Sequence, residues 1–151
     1  MLRSALIGLV AGQRAMTPLA ALATAARRGR LAADAPLAGW LKNPLVAGGA
    51  VMLAALEMAG DKMKSAPDRI VPSGIIARSL TAGFAGAALA PSGKRVAGGS
   101  LAVVTTLGAS YVGWRLRCAT MRRYGQTATG FAEDALVLGG GLAVALGGRR
   151  A

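Results

Sequence analysis

The sequence predicts an all-α fold, a polytopic membrane helix bundle of about five hydrophobic segments in a single domain spanning residues 1–151. Three observations lead there. Hydrophobic residues make up 54% of the chain and charged residues only 16%, where a soluble domain carries about 25% charge. Apolar runs recur that approach the roughly 20 residues needed to cross a ~30 Å hydrocarbon layer. None of these runs alternates with period two, so the pattern is not that of a membrane barrel. The apolar content excludes disorder, and the single cysteine, Cys118, excludes a disulfide scaffold. With no histidine, the chain lacks the commonest general base and transition-metal ligand. No cofactor is indicated, and the residues leave a metal undecided.

The first segment, 4–26, contains Gly12-Gln13-Arg14-Ala15-Met16-Thr17-Pro18. Arg14 in the middle of the apolar stretch argues against a cleaved leader peptide. Pro18 cannot donate to the Arg14 carbonyl, and Thr17-Pro18 reads as a cap followed by the first helical position. Two readings stand: a plain proline kink, or two half-helices whose break presents N–H groups to a buried anion. The second segment, 45–63, places Glu57 and Asp61 on one helix face, near a C-terminus whose dipole disfavours anions. Such a pair needs a proton, a cation or an arginine, and Lys62, Lys64 and Arg69 follow closely. Asp68 reads as the acid of a Ser65-x-x-Asp68 capping box.

The third segment, 70–90, carries Arg78, the natural partner for a buried carboxylate. The fourth, 96–114, has no ionisable carboxylate, lysine or arginine and is the cleanest span. The fifth, 129–148, has Glu133 and Asp134 in its first turns, where a helix N-terminus stabilises acids. Being adjacent, those two side chains point about 100° apart. Trp40, Tyr111, Trp114 and Tyr124 fall near segment ends, where amphipathic rings prefer the interface. Small residues are dense inside the segments, as in Gly8-x-x-x-Gly12 and Ala109-x-x-x-Gly113, a pattern that lets helix backbones approach closely in lipid.

Lysine and arginine number 18 against six acids, for a formal charge of +12. Nucleic acid is not the partner: aromatics are only 4%, and the cations gather in gaps between apolar runs. That arrangement anchors a chain to a lipid bilayer with anionic headgroups. Five alternating spans would put eight cations on each side, counting Arg115, Arg117, Arg122 and Arg123 as one loop, so the positive-inside rule gives no orientation. The span count, a re-entrant first segment, or dual insertion as an antiparallel homo-oligomer would each explain the tie.

Charge at a bilayer centre costs about 2.5–3.5 kcal/mol per group on insertion scales. Arg14, Glu57, Asp61, Arg78, Glu133 and Asp134 must therefore face one another or water. The candidate substrate- or ion-binding set is Arg14, Thr17, Glu57, Asp61, Lys62, Arg78, Glu133 and Asp134; no catalytic residue is assigned.

The order Gly12-Gln13-Arg14-Ala15-Met16-Thr17-Pro18, Glu57-x-x-x-Asp61-Lys62 with Asp68 behind it, and Phe131-Ala132-Glu133-Asp134 resembles the bacterial membrane family catalogued as domain-of-unknown-function 4126. The resemblance covers nearly the whole chain and implies a multi-pass protein of the bacterial inner (cytoplasmic) membrane. It implies no activity, substrate or catalytic residue. Three functions remain: a small transporter or channel using the buried carboxylates and an arginine, a structural or assembly protein whose charges hold helices together, and an intramembrane lipid-phosphate enzyme. The missing histidine makes the enzyme the weakest of the three.

Overall fold

The computed structural model describes residues 1–61 and 71–148, and among these the regular secondary structure is all helix, with no strand. Seven helices follow one another among them: α1 (Leu2–Gln13), α2 (Thr17–Arg27), α3 (Ala38–Lys42), α4 (Pro44–Gly60), α5 (Pro72–Leu89), α6 (Arg95–Tyr124) and α7 (Gln126–Leu146). Lys62 and the Ser65–Asp68 box lie outside the described residues.

The first apolar segment does not run straight through the fold; it doubles back. At the open end of α1, the Arg3 guanidinium donates to the Val144 and Ala145 carbonyls at the C-terminal end of α7. Just past α2, Arg30 donates to Gly148 at that same end. Between them Arg14 is extended, at φ −142° and ψ 123°, and the chain reverses at residues 14–16. Helices of 12 and 11 residues reach about 18 and 16 Å. Each arm is therefore about half the thickness of a hydrocarbon layer, with its tip at the level of Asp134 in α7.

Small residues let the other helices close around this hairpin. Along α1, Gly8 and Gly12 lie against α6 so tightly that a Cβ on Gly8 would come within 2.5 Å of the Ala102 carbonyl oxygen. The glycine carbonyls exposed by that contact are met across it: Thr106 Oγ1 donates to Gly8 at 2.9 Å and Ser110 Oγ to Gly12 at 3.1 Å. The α5–α6 hairpin packs through Gly86 and Gly98, and Ser4 of α1 donates to the Gly86 carbonyl. The core is accordingly built of alanine, with Ala11, Ala23, Ala82, Ala85 and Ala102 buried around Ile7 and Leu22. Arms α2 and α1 both rest on α7, and α4 covers the outer side of α2. Outside the bundle, Ser92 and Arg95 bind the Asp34 carboxylate and hold its pKa below the usual carboxylate range, the Ser92 hydrogen bond contributing most.

Large apolar side chains point outward. Leu45 is 83% exposed and Val96 85%, and Val51, Leu56, Leu80, Val104 and Leu136 are exposed as well. Among the described residues, two helices are long and apolar enough to cross a membrane, α6 and α7. Helix α4 is apolar but has 17 residues, and α5 carries Arg78 near its middle. The fourth segment is longer than its apolar stretch suggests. Helix α6 continues past Trp114 to Tyr124, so Arg115–Arg123 is helix rather than a basic loop.

Two glycine substitutions separate packing from helix propensity. Gly8→Ala should lower stability in detergent micelles by about 1–3 kcal/mol, because the new methyl meets backbone that cannot yield. Gly140→Ala, whose Cβ would meet no atom within 4 Å, should be neutral or gain up to about 1 kcal/mol. Equal thermal shifts for the two variants would refute the packing account.

Candidate functional site

The tip of the α1–α2 hairpin carries the most deeply buried charge described in the protein. Arg14 is 1% exposed, and each of its guanidinium nitrogens has an acidic partner. Its Nη1 sits 2.8 Å from Asp61 Oδ2, while Nε and Nη2 donate to Asp134 Oδ1 at 3.0 and 2.6 Å. A second arginine completes the network. Arg117 Nη1 lies 2.5 Å from the same Asp61 Oδ2 and 2.9 Å from Glu133 Oε2. One carboxylate oxygen of Asp61 therefore bridges two guanidinium groups, and the adjacent acids of α7 each meet a different arginine.

Local sequence explains why these groups meet. Asp61 is the residue after the last turn of α4, so its own carbonyl is one of the orphan acceptors of that helix end. Arg117 Nη2 donates to this carbonyl at 3.2 Å, joined by Gln126 Nε2 at 3.5 Å. The unfavourable placement of acids at a helix C-terminus is thus offset by two arginines held against it. Arginine suits this position, since its planar fork serves several acceptors at once and it stays charged when buried.

Glu57 answers a different need. At the break between α1 and α2, the N–H groups of Ala15 and Met16 have no helical acceptor, and Glu57 takes both, at 2.7 and 2.8 Å. The two half-helices are therefore present, but their amide end is filled by the chain's own carboxylate. Met16, not Thr17, is the N-cap of α2. Thr17 lies one residue inside, fully buried, and its Oγ1 has no hydrogen-bond partner among the described residues. Its expected capping role is corrected: an acid from α4 does that work instead.

Glu133 and Asp134 are corrected too. Helix α7 begins at Gln126, so both acids stand about two turns inside it, beyond the reach of N-terminal dipole stabilisation. Their stabilisation comes from arginine. Arg78 is buried on α5, while the pairs that close the network just described are those of Arg14 and Arg117. Hydropathy ends the fourth segment at Trp114 and so places Arg117 in a loop, whereas α6 runs on to Tyr124. The small, packed face of α6 supplies the missing signal: Ala102, Thr106, Ala109, Gly113 and Arg117 share one helical stripe, so the arginine sits on the buried side.

The network reaches open space at one edge. A cavity of about 530 Å³ lies between α6 and α7, lined by Leu116, Ala132, Leu136 and Val137 with Arg117 and Glu133 in its wall. Gln13, which donates to the Ala109 carbonyl, also borders it. Among the described residues no group of three acid, histidine or cysteine side chains is arranged to hold a metal ion. No family model, curated protein or solved structure matches the chain, so the family resemblance rests on its short motifs.

Removing Arg14 should be costly in a particular way. Arg14→Gln takes away the cation shared by Asp61 and Asp134 and should cost about 3–5 kcal/mol. Adding Asp134→Asn should return part of that loss, with a coupling of about 0.5–3 kcal/mol in a double-mutant cycle. Strict additivity of the two substitutions would show that the pair is not coupled.

Proposed function

We propose that this chain is a small multi-pass protein of the bacterial inner membrane, of the transporter or channel class, which moves protons or small cations through its buried ion-pair network. One observation carries the reading: the network opens at Arg117 and Glu133 onto the α6–α7 cavity. Ionisable groups in a membrane interior are costly and mark ion pathways by default. A re-entrant hairpin whose tip ends in protein-lined polar space is likewise the setting in which broken backbone is tolerated at membrane depth. The exposed faces of Leu45, Val96, Val104 and Leu136 support the bilayer as surroundings.

The chemistry follows from the pairs. Glu57 already occupies the amide end of the broken helix, which leaves the acids of the network, rather than that end, to meet an arriving ion. A proton or cation entering the cavity competes with Arg117 for Glu133. Loss of that pair loosens the hold of Arg117 on Asp61, the oxygen it shares with Arg14. The site thus exchanges partners instead of exposing a bare charge, which keeps the desolvation cost low at each step.

Hairpin geometry also bears on orientation. Because α1 and α2 return to one end, Arg3 joins Arg27, Arg28, Arg30, Lys42, Lys94 and Arg95 there, and Arg117 is buried. The balance of cations found for five alternating spans is lost, and the positive-inside rule directs this end to the cytoplasm. A cysteine at exposed Ala33, in a Cys118→Ser background, should react with an impermeant maleimide only after cells are opened. Labelling of intact cells would reverse the orientation.

The functional test is flux. Proteoliposomes holding the full chain should take up protons, sodium or potassium faster than protein-free vesicles under an imposed gradient. Glu133→Gln should cut that rate by on the order of tenfold or more, the scale on which a buried charge pair is worth several kcal/mol, with helix content unchanged. A second reading, a purely structural staple, is favoured by the complete engagement of Arg14 at 1% exposure. It predicts no flux for the wild type with any of the three ions and a change in Glu133→Gln confined to stability.

A further inference from the structure

We infer that the groove running between α2 and α4 and on to α7 is a binding site for an acidic phospholipid, its phosphate held by Arg27, Arg28 and Lys42 and an acyl chain lying along the groove. This rests on the proposed membrane setting and is independent of ion transport. The groove is a run of three adjoining cavities. The outermost, of about 450 Å³, is bordered by Arg27, Gly29, Lys42 and Pro44. It shares Arg27 and Pro44 with the next, of about 650 Å³, which runs along Gly48, Val51 and Met52. That one shares Thr24, Arg28, Val51 and Ala55 with the innermost, of about 300 Å³, walled by Ala20, Ala54, Leu138, Leu142 and Leu146. Polarity therefore changes along its length: Arg27 and Lys42 border the outermost cavity, Arg28 stands where the next two join, and the walls beyond are mainly aliphatic.

Charge complementarity identifies the occupant. No aspartate or glutamate lines any of the three cavities. Arg27, Arg28 and Lys42 are exposed and enter no ion pair or side-chain hydrogen bond among the described residues, unlike Arg14, Arg95 and Arg117. Helix α4 starts at the same place, with Pro44 at its first position, so the positive end of a 17-residue helix adds to the field of the cations. A free anion would have no use for the aliphatic half, and a neutral lipid none for the cations. A phosphate-bearing headgroup of net negative charge on an acyl chain satisfies both, the pairing by which basic pockets between membrane helices hold lipid headgroups. The groove is also distinct from general attraction of basic loops to a surface, because Arg122 and Arg123 at the other end of the fold border none of these cavities.

Native mass spectrometry of the full chain, delipidated in a non-ionic detergent and titrated with phosphatidylglycerol or phosphatidylcholine, tests the site. The wild type should retain one phosphatidylglycerol at concentrations where phosphatidylcholine is lost. Arg27→Gln/Arg28→Gln/Lys42→Gln should weaken phosphatidylglycerol binding by on the order of 100-fold, from about 1 kcal/mol per cation. Gly48→Leu leaves every charge in place and fills the groove from a position whose Cβ meets no atom within 4 Å, so it should fold and also lose the lipid. Arg122→Gln/Arg123→Gln should bind as the wild type does. Equal retention of the two lipids, displacement by inorganic phosphate alone, full binding by Gly48→Leu, or an equal loss in the Arg122/Arg123 variant would each overturn the site. Failure of the membrane setting reads out separately, as release of the chain from membranes by a detergent-free alkaline wash.

Discussion

A guanidinium group with almost no contact with the surroundings governs the rest of this fold. Desolvating a charge costs several kcal/mol even after relaxation, and only close, hydrogen-bonded acids can offset it. Arg14 meets that demand with Asp61 from the end of α4 and Asp134 from the third turn of α7, while its neighbours Ala15 and Met16 are met by Glu57. Four pieces of chain are thereby pinned to one point: the hairpin tip, the last turn of α4, the register of α7 and, through the shared Asp61 oxygen, the position of α6. None of these can slide by a turn without stranding a charge.

The glycines and alanines of α1, α5 and α6 serve the same requirement from the other side. A hairpin with bulky side chains could not lie close enough to α6 for Thr106 and Ser110 to reach the Gly8 and Gly12 carbonyls. Those bonds fix the depth of the tip, and the depth of the tip decides whether Arg14 and Arg117 can share a carboxylate. Packing and electrostatics are coupled along one helix: the stripe that begins at Ala102 with a small residue ends at Arg117 with the largest cation. The last two residues of that stripe, Gly113 and Arg117, stand in the wall of the cavity where the network meets open space.

Much of this was legible in the residues themselves. The all-α class, the break near Arg14 and the closeness of Glu57 and Asp61 follow from hydropathy, proline placement and a four-residue spacing. Charges in apolar runs marked the acids that converge. What the chain could not declare locally was direction. A kinked helix that continues and one that reverses have the same composition, and the difference is set by contacts of Arg3 and Arg30 with residues more than a hundred positions away. Arg117 was hidden for a related reason: four arginines in nine residues read as a loop by charge density, although the pattern of small residues before them continues the helix. Thr17-Pro18 carried a strong local capping signal that a distant carboxylate superseded.

Alanine and glycine inside, leucine and valine outside, reverses the arrangement that makes a chain collapse in water. Buried methyl groups contribute little transfer free energy, since the benefit scales with apolar area at about 25 cal/mol per Å². Such an interior gives an aqueous chain scant reason to assemble, whereas in an oily solvent the same small faces and interhelical hydroxyl bonds are what remains to select partners. On this plan the pairing of α1 with α5 and α6 is carried by close glycine contacts and by the hydroxyls of Ser4, Thr106 and Ser110.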